Sequence, residues 1–183
     1  MQKMNNFVVS VRDFIFKNDQ DIRSVYRIGK KVGDKKEGSY GFIRFCIHKQ
    51  TGCLRAVKVI DKKNLEEGKD DFTSYHMANQ EIEILSQVDH PGIMRMFEYF
   101  EDSNRFYIIS DLYQGGELYD FIKDNIDPKD PVQKSKITED QARKIVKQIL
   151  RILVYLHSKK IVHRDIKPEN LIFLEKGNIE KGL

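Results

Sequence analysis

His163-Arg164-Asp165-Ile166-Lys167-Pro168-Glu169-Asn170 gathers a carboxylate, a cation and a side-chain amide into one short span. Proline at 168 disfavours a helical conformation for Lys167, so the stretch reads as an extended loop following Tyr155-Leu156-His157. Asp165 can accept a proton, Lys167 supplies a counter-charge two residues on, and Asn170 offers a neutral oxygen of the kind hard divalent cations accept. Ile161-Val162 before the loop and Leu171-Ile172-Phe173-Leu174 after it are apolar and β-prone, which predicts that both ends of the loop are anchored in a core.

These residues resemble the catalytic loop of eukaryotic protein kinases, H-R-D-L-x-x-x-N, with Ile166 in place of leucine. The resemblance implies ATP and Mg2+ as cofactors and a protein hydroxyl as acceptor. Asp165 would orient and deprotonate that hydroxyl, Lys167 would neutralise the transferred phosphoryl group, and Asn170 would hold a metal ion. Lysine two positions after the aspartate is the usual form in the serine/threonine branch, which implies a protein substrate with Ser/Thr. The implied fold is α+β and two-lobed, with an antiparallel sheet plus one helix in the N-lobe and a mainly helical, incomplete C-lobe. The expected divisions are an N-terminal arm at 1–25, the N-lobe at 26–111 and a partial C-lobe at 112–183.

The 183 residues carry 32 basic and 28 acidic side chains, a net charge of +4. That mixture is no basic block and weighs against nucleic-acid binding. The two cysteines, Cys46 and Cys53, are too sparse for a disulfide framework or a zinc spacing; both read as strand residues of a protein in a reducing compartment. His48, His76, His90 and His157 show no metal-ligand spacing. Residues 1–6 lack a signal-peptide core, Gln2 excludes N-myristoylation, and the apolar runs are short and broken by charge. The expectation is a soluble, cytoplasmic protein with no membrane span.

In chain order, residues 7–28, with Phe7–Val11 and Asp21–Tyr26 on either side of the polar spacer Lys17-Asn18-Asp19-Gln20, read as a short strand or extended arm leading into the first lobe. Gly38 and Gly41 allow close backbone approach and read as a phosphate lid between strands. The kinase pattern would place a first glycine where this chain has Lys36; either Asp34-Lys35-Lys36 is an insertion after Gly33 or that glycine is lost. By resemblance Ile43 packs on the adenine face. Leu54–Ile60 alternates as a strand that puts Ala56 and Lys58 on one face. The matching family strand uses the alanine to admit adenine and the lysine to pair with the α and β phosphates.

Residues 61–73 read as a charged loop, and Ser74–Val88 as an amphipathic helix stopped by Asp89-His90-Pro91-Gly92. Of its two carboxylates, alignment on Leu85 and Asp89-His90-Pro91 favours Glu81 over Glu83 as the partner of Lys58. Ile93–Phe100 and Arg105–Ile109 read as strands, and Gly115-Gly116 marks a boundary between lobes. This resembles the kinase hinge, where the backbone of Asp111 and Tyr113 would read adenine, Glu117 would reach ribose or substrate, and Ser110 would be a small gatekeeper. Ile172 joins the nucleotide-binding set on the same resemblance. A short helix over Glu117–Asn125 precedes a loop, Asp127–Pro131, longer than the family needs. Thr138-Glu139-Asp140-Gln141 is a capping box opening a helix to about His157, whose broad apolar face requires cover.

The resemblance runs from about residue 26 to the end and is most like calcium-dependent kinases, although no D-x-[DN]-x-[DN]-G loop, and hence no EF-hand, occurs in these residues. The sequence ends at Leu183, ahead of the D-F-G and A-P-E motifs. The expectation is therefore a truncated kinase. The alternative is a catalytically dead remnant that binds nucleotide or a protein partner.

Overall fold

The structure, a computed structural model, describes residues 15–31, 41–62, 71–126 and 136–183. Residues 7–14 of the expected strand or arm, the lid glycine Gly38 and the long loop at Asp127–Pro131 lie outside the described residues. The chain forms two compact units, Met1–Asp89 with Met94–Leu112, and His90–Ile93 with Tyr113–Leu183.

The first unit is built on a sheet of strands β1 (Phe16–Lys17), β2 (Tyr26–Lys31), β3 (Phe42–His48), β4 (Leu54–Asp61), β5 (Met96–Glu101) and β6 (Arg105–Ser110), with helices α1 (Ile22–Val25) and α2 (Asp71–Leu85). The order across the sheet is β1-β5-β6-β4-β3-β2, and its pairings are antiparallel except β1 with β5. Alternation along β4 divides the core. Val57 and Val59 join Ile22, Tyr26, Cys46, Phe100 and Ile109 in one cluster, whereas Ile60 joins Ala78 and Ile82 of α2 with Met96, Phe106 and Ile108 in another. A register shift between Met96 and Glu98 lets β5 serve both clusters, since one extra residue swaps the face on which the following side chains fall.

The second unit holds α3 (Leu118–Asp124), α4 (Glu139–Ser158) and a 3₁₀ turn at Pro168–Asn170. The capping box at the start of α4 forms as expected. Gln141 N–H donates to Thr138 Oγ1 at 3.2 Å and Thr138 N–H to Gln141 Oε1 at 2.9 Å. Leu118, Ile145, Phe173, Ile179 and Leu183 form the core, with Phe121, Ile122, Ile149 and Leu171 packed around it. The apolar face of α4 is wider than this core covers, and Val146, Leu150 and Val154 stay exposed.

Four expectations are corrected. Cys53 is exposed and precedes β4, following the turn in which Gly52 takes φ +70°, so only Cys46 is a strand residue. Helix α2 starts at Asp71 and ends at Leu85, a turn earlier than read; beyond it Ser86 N–H still reaches Ile82 O, but Gln87 N–H bonds Ile84 O in a tightened turn. The strand expected from Ile93 begins at Met96, because Ile93 N–H is used in a turn on His90 O. The loop is anchored from its far side: Phe173 is buried while Val162 is 63% exposed.

Candidate active site

In the first unit, two rows of side chains on one face run across β3, β4 and β6. Phe45, Ala56 and Ser110 are register partners, as are Ile43, Lys58 and Ile108 in the next row. Directly opposed residues share a face. Ala56 and Ser110 are buried and small, and Ile43 is partly open at 41%. Lys58 is met from α2 by Glu81, with Nζ 2.7 Å from both carboxylate oxygens. The pair retains 29% and 34% exposure, so the ammonium stays within reach of a ligand. Glu81 rather than Glu83 is thus the partner, as the sequence alignment favoured.

Gly41, expected at a phosphate lid, has φ +116°, and a Cβ there would lie 2.1 Å from Val59 O. Glycine is therefore demanded twice, by the backbone conformation and by the close passage of β4. At the end of β6, Asp111 N–H donates to Arg95 O at 3.0 Å and its carboxylate lies 3.6 Å from Arg55, which itself stacks 3.9 Å over Phe97. Sequence reading missed this Arg55 anchor, because Phe97 and Asp111 come to it from positions distant in sequence. It also missed Glu98, a buried carboxylate inside the run Phe97-Glu98-Tyr99-Phe100, which accepts from Tyr26 O–H at 2.7 Å.

In the second unit, Lys167 is extended at φ −153° and ψ 158°, as its position before proline predicts. Its Nζ lies 2.8 Å from Asp165 Oδ2. Asn170 Nδ2 donates to Asp165 Oδ2 at 2.9 Å and to Asp165 O at 2.8 Å. Asp165 N–H faces His163 Nδ1 at 3.3 Å, and Arg164 takes the left-handed φ of +67° that bends the chain into this loop. The hydrogen bond from Lys167, seconded by that from Asn170, holds the Asp165 carboxyl below the usual carboxylate range; Asp165 in turn raises Lys167. An exposed, ionised carboxylate results, with Oδ1 available to a new donor.

The loop's exit is clamped to the residues after the glycine pair. Leu118 N–H donates to Leu171 O at 2.8 Å, Phe173 N–H to Gly116 O at 2.9 Å, and Glu117 bridges Ile172. A Cβ at Gly115 would stand 2.1 Å from Phe173 O, so this clamp closes only on glycine. Ile172, partly open at 36%, and Glu117 thereby lie together, while Tyr113 lies in the same unit.

Among the described residues there is no group of three or more His, Cys, Asp or Glu that could hold a metal by itself. Asn170, whose Nδ2 is turned onto Asp165, offers its side-chain oxygen as a donor of the hard type. That donor fits a Mg2+ ion that takes its remaining ligands from phosphate and water.

Residues 26–181 match the protein kinase domain family. Calcium-dependent protein kinase 5 of Plasmodium berghei (strain Anka) is 36% identical over 92% of this chain and 27% of its own length. Calcium-dependent protein kinase 3 of Plasmodium yoelii yoelii is 37% identical over 96% of this chain and 29% of its own. A probable myosin light chain kinase of Dictyostelium discoideum is 40% identical over 80% and 41%. The chain thus spans little more than a quarter of the length of the Plasmodium relatives.

Proposed function

We propose, from the premise that this chain belongs to the protein kinase domain family, that it is part of a serine/threonine kinase moving the γ-phosphoryl group of ATP to a protein hydroxyl. The observation that carries the reading is the Asp165 carboxylate kept ionised between Lys167 and Asn170. Asp165 accepts the acceptor hydroxyl's proton on its available oxygen as the new oxygen–phosphorus bond forms and the bond from the γ-phosphorus to the bridging oxygen breaks, releasing ADP. Lys167, already paired to that carboxylate, offsets negative charge on the group in transit. In the other unit, Lys58, steadied by Glu81, contacts the α and β phosphates. Gly41 and Gly38 admit the phosphates close to the backbone, and Ile43, Ala56, Ile172 and the backbone of Asp111 and Tyr113 take the base, with Glu117 toward the ribose. Asn170 would hold Mg2+, which when bound supplies positive charge to the phosphate oxygens.

Serine or threonine as acceptor is supported by Lys167, the form usual in that branch of the family. No described helix is long and apolar enough to cross a membrane, and both cysteines are free, which supports a place in the reducing cytoplasm. The test is Asp165→Asn in the full-length protein, supplied with radiolabelled ATP, Mg2+ and a mixed peptide library. Transfer falls at least about a hundredfold, and wild-type label appears on serine and threonine. Transfer undiminished by the substitution overturns the role of Asp165, and label on tyrosine overturns the acceptor class.

A further inference from the structure

The arm ahead of β2 is tied to the sheet by more than its two-residue strand. β1 lies parallel on β5, with Phe16 opposite Glu98 and Lys17 opposite Tyr99. Asn18 N–H donates to Tyr99 O at 2.8 Å, Asn18 Nδ2 to Glu98 Oε2 at 2.7 Å, and Lys17 Nζ to Glu101 Oε2 at 2.8 Å. The other Glu98 oxygen is taken by the buried Tyr26 hydroxyl, so the acceptor for Asn18 is itself immobilised. These contacts set the register of a strand otherwise too short to specify one, and register decides which side chain faces inward. Phe16 consequently stays 57% exposed, whereas Ile15 packs against the cluster of Ile60, Ala78, Ile82, Met96, Phe106 and Ile108.

Ala78 and Ile82 are the inward residues of α2 that flank Glu81, one nearly a turn before it and one immediately after. The Lys58–Glu81 pair is about a third exposed, and an ion pair so placed contributes little to holding a helix. The seat of α2 must come from its apolar side, and the arm adds a wall to that seat.

We propose that Ile15–Asn18 is a strap that keeps α2 seated so that Glu81 remains on Lys58, with Ile15 a positioning residue for the nucleotide-contacting lysine. The inference rests on the reading of Lys58 given above, and its consequence is that whatever removes the arm from β5 loosens the pair without touching either member.

The test compares wild type, Ile15→Asp, the conservative Ile15→Val and the outward-facing control Phe16→Ser. Hydrogen exchange is followed over residues 78–85 of α2 and over Phe106–Ile109 of β6, and a non-hydrolysable ATP analogue with magnesium is titrated calorimetrically. In Ile15→Asp, exchange in α2 accelerates about tenfold or more while β6 is unchanged, and the analogue binds about fivefold or more weakly. Ile15→Val and Phe16→Ser behave as wild type. Unchanged α2 exchange in Ile15→Asp overturns the strap, as does equal acceleration of α2 and β6, which reports general unfolding. Wild type that fails to bind the analogue defeats the nucleotide reading, and the exchange comparison then decides the strap alone.

Discussion

Replacing Lys58 with methionine keeps most of the side chain's length and removes the ammonium that sits 2.7 Å from both Glu81 oxygens. Two magnitudes follow, and they differ. As an ion pair with 29% and 34% exposure, Lys58–Glu81 contributes about 1 kcal/mol or less to stability, because water screens it and both side chains lose freedom to form it. As a preorganised positive charge on the phosphates, the same ammonium is worth roughly a hundred- to a thousand-fold in rate, or about 3–4 kcal/mol at the transition state. The variant should therefore unfold in urea within about 1 kcal/mol of wild type while single-turnover transfer from labelled ATP collapses. Transfer within about threefold of wild type refutes the phosphate contact. A stability loss above about 2 kcal/mol with proportionate loss of transfer refutes the separation itself, since Lys58 would then be a structural residue.

Gly41→Ala should cost about 2–4 kcal/mol in urea unfolding, because φ +116° is strained for alanine and the new methyl meets Val59 O; a change below about 0.5 kcal/mol would mean that β3 and β4 separate freely there. Burial, with a smaller contribution from Glu98 and against the pull of Arg55, pushes the Cys46 thiol up to about 12 from an ordinary 9.0. The unfolded thiol therefore releases its proton as the pH rises above 9 while the folded one keeps it, so stability should fall between pH 9 and 12. Urea midpoints across that range should decline less steeply in Cys46→Ala, and identical slopes would refute the linkage.

Much of the architecture was readable from local pattern. Alternation in β4 announced which residues share the Lys58 face, the Thr138–Gln141 spacing announced the start of α4, and proline at 168 announced an extended Lys167. What escaped was made by partners distant in sequence. Lys17 and Asn18 look like a polar spacer, yet β1 exists because Glu98, Tyr99 and Glu101 accept from them across the sheet. Glu98 itself looks like the polar beat of a half-exposed strand, and the Tyr26 hydroxyl and the Asn18 amide, one on each of its oxygens, explain its burial. Val162 has the composition of a core strand but stays exposed, because the anchoring falls to Phe173 instead. The mutual hold of Asp165, Lys167 and Asn170 was foreseeable as a set of types, but the turn of the Asn170 amide onto Asp165 was not.

The bridge between Glu117 and Ile172, with its flanking bonds from Leu118 and Phe173, makes the intervening chain a closed ring in the sense of polymer statistics. The entropy of closing such a ring grows only with the logarithm of its contour, and each doubling adds only about 0.6 kcal/mol. Residues 127–135 fall within that ring by sequence, between α3 and α4. Residues inserted between α3 and α4 would therefore cost the loop that carries Asp165 little.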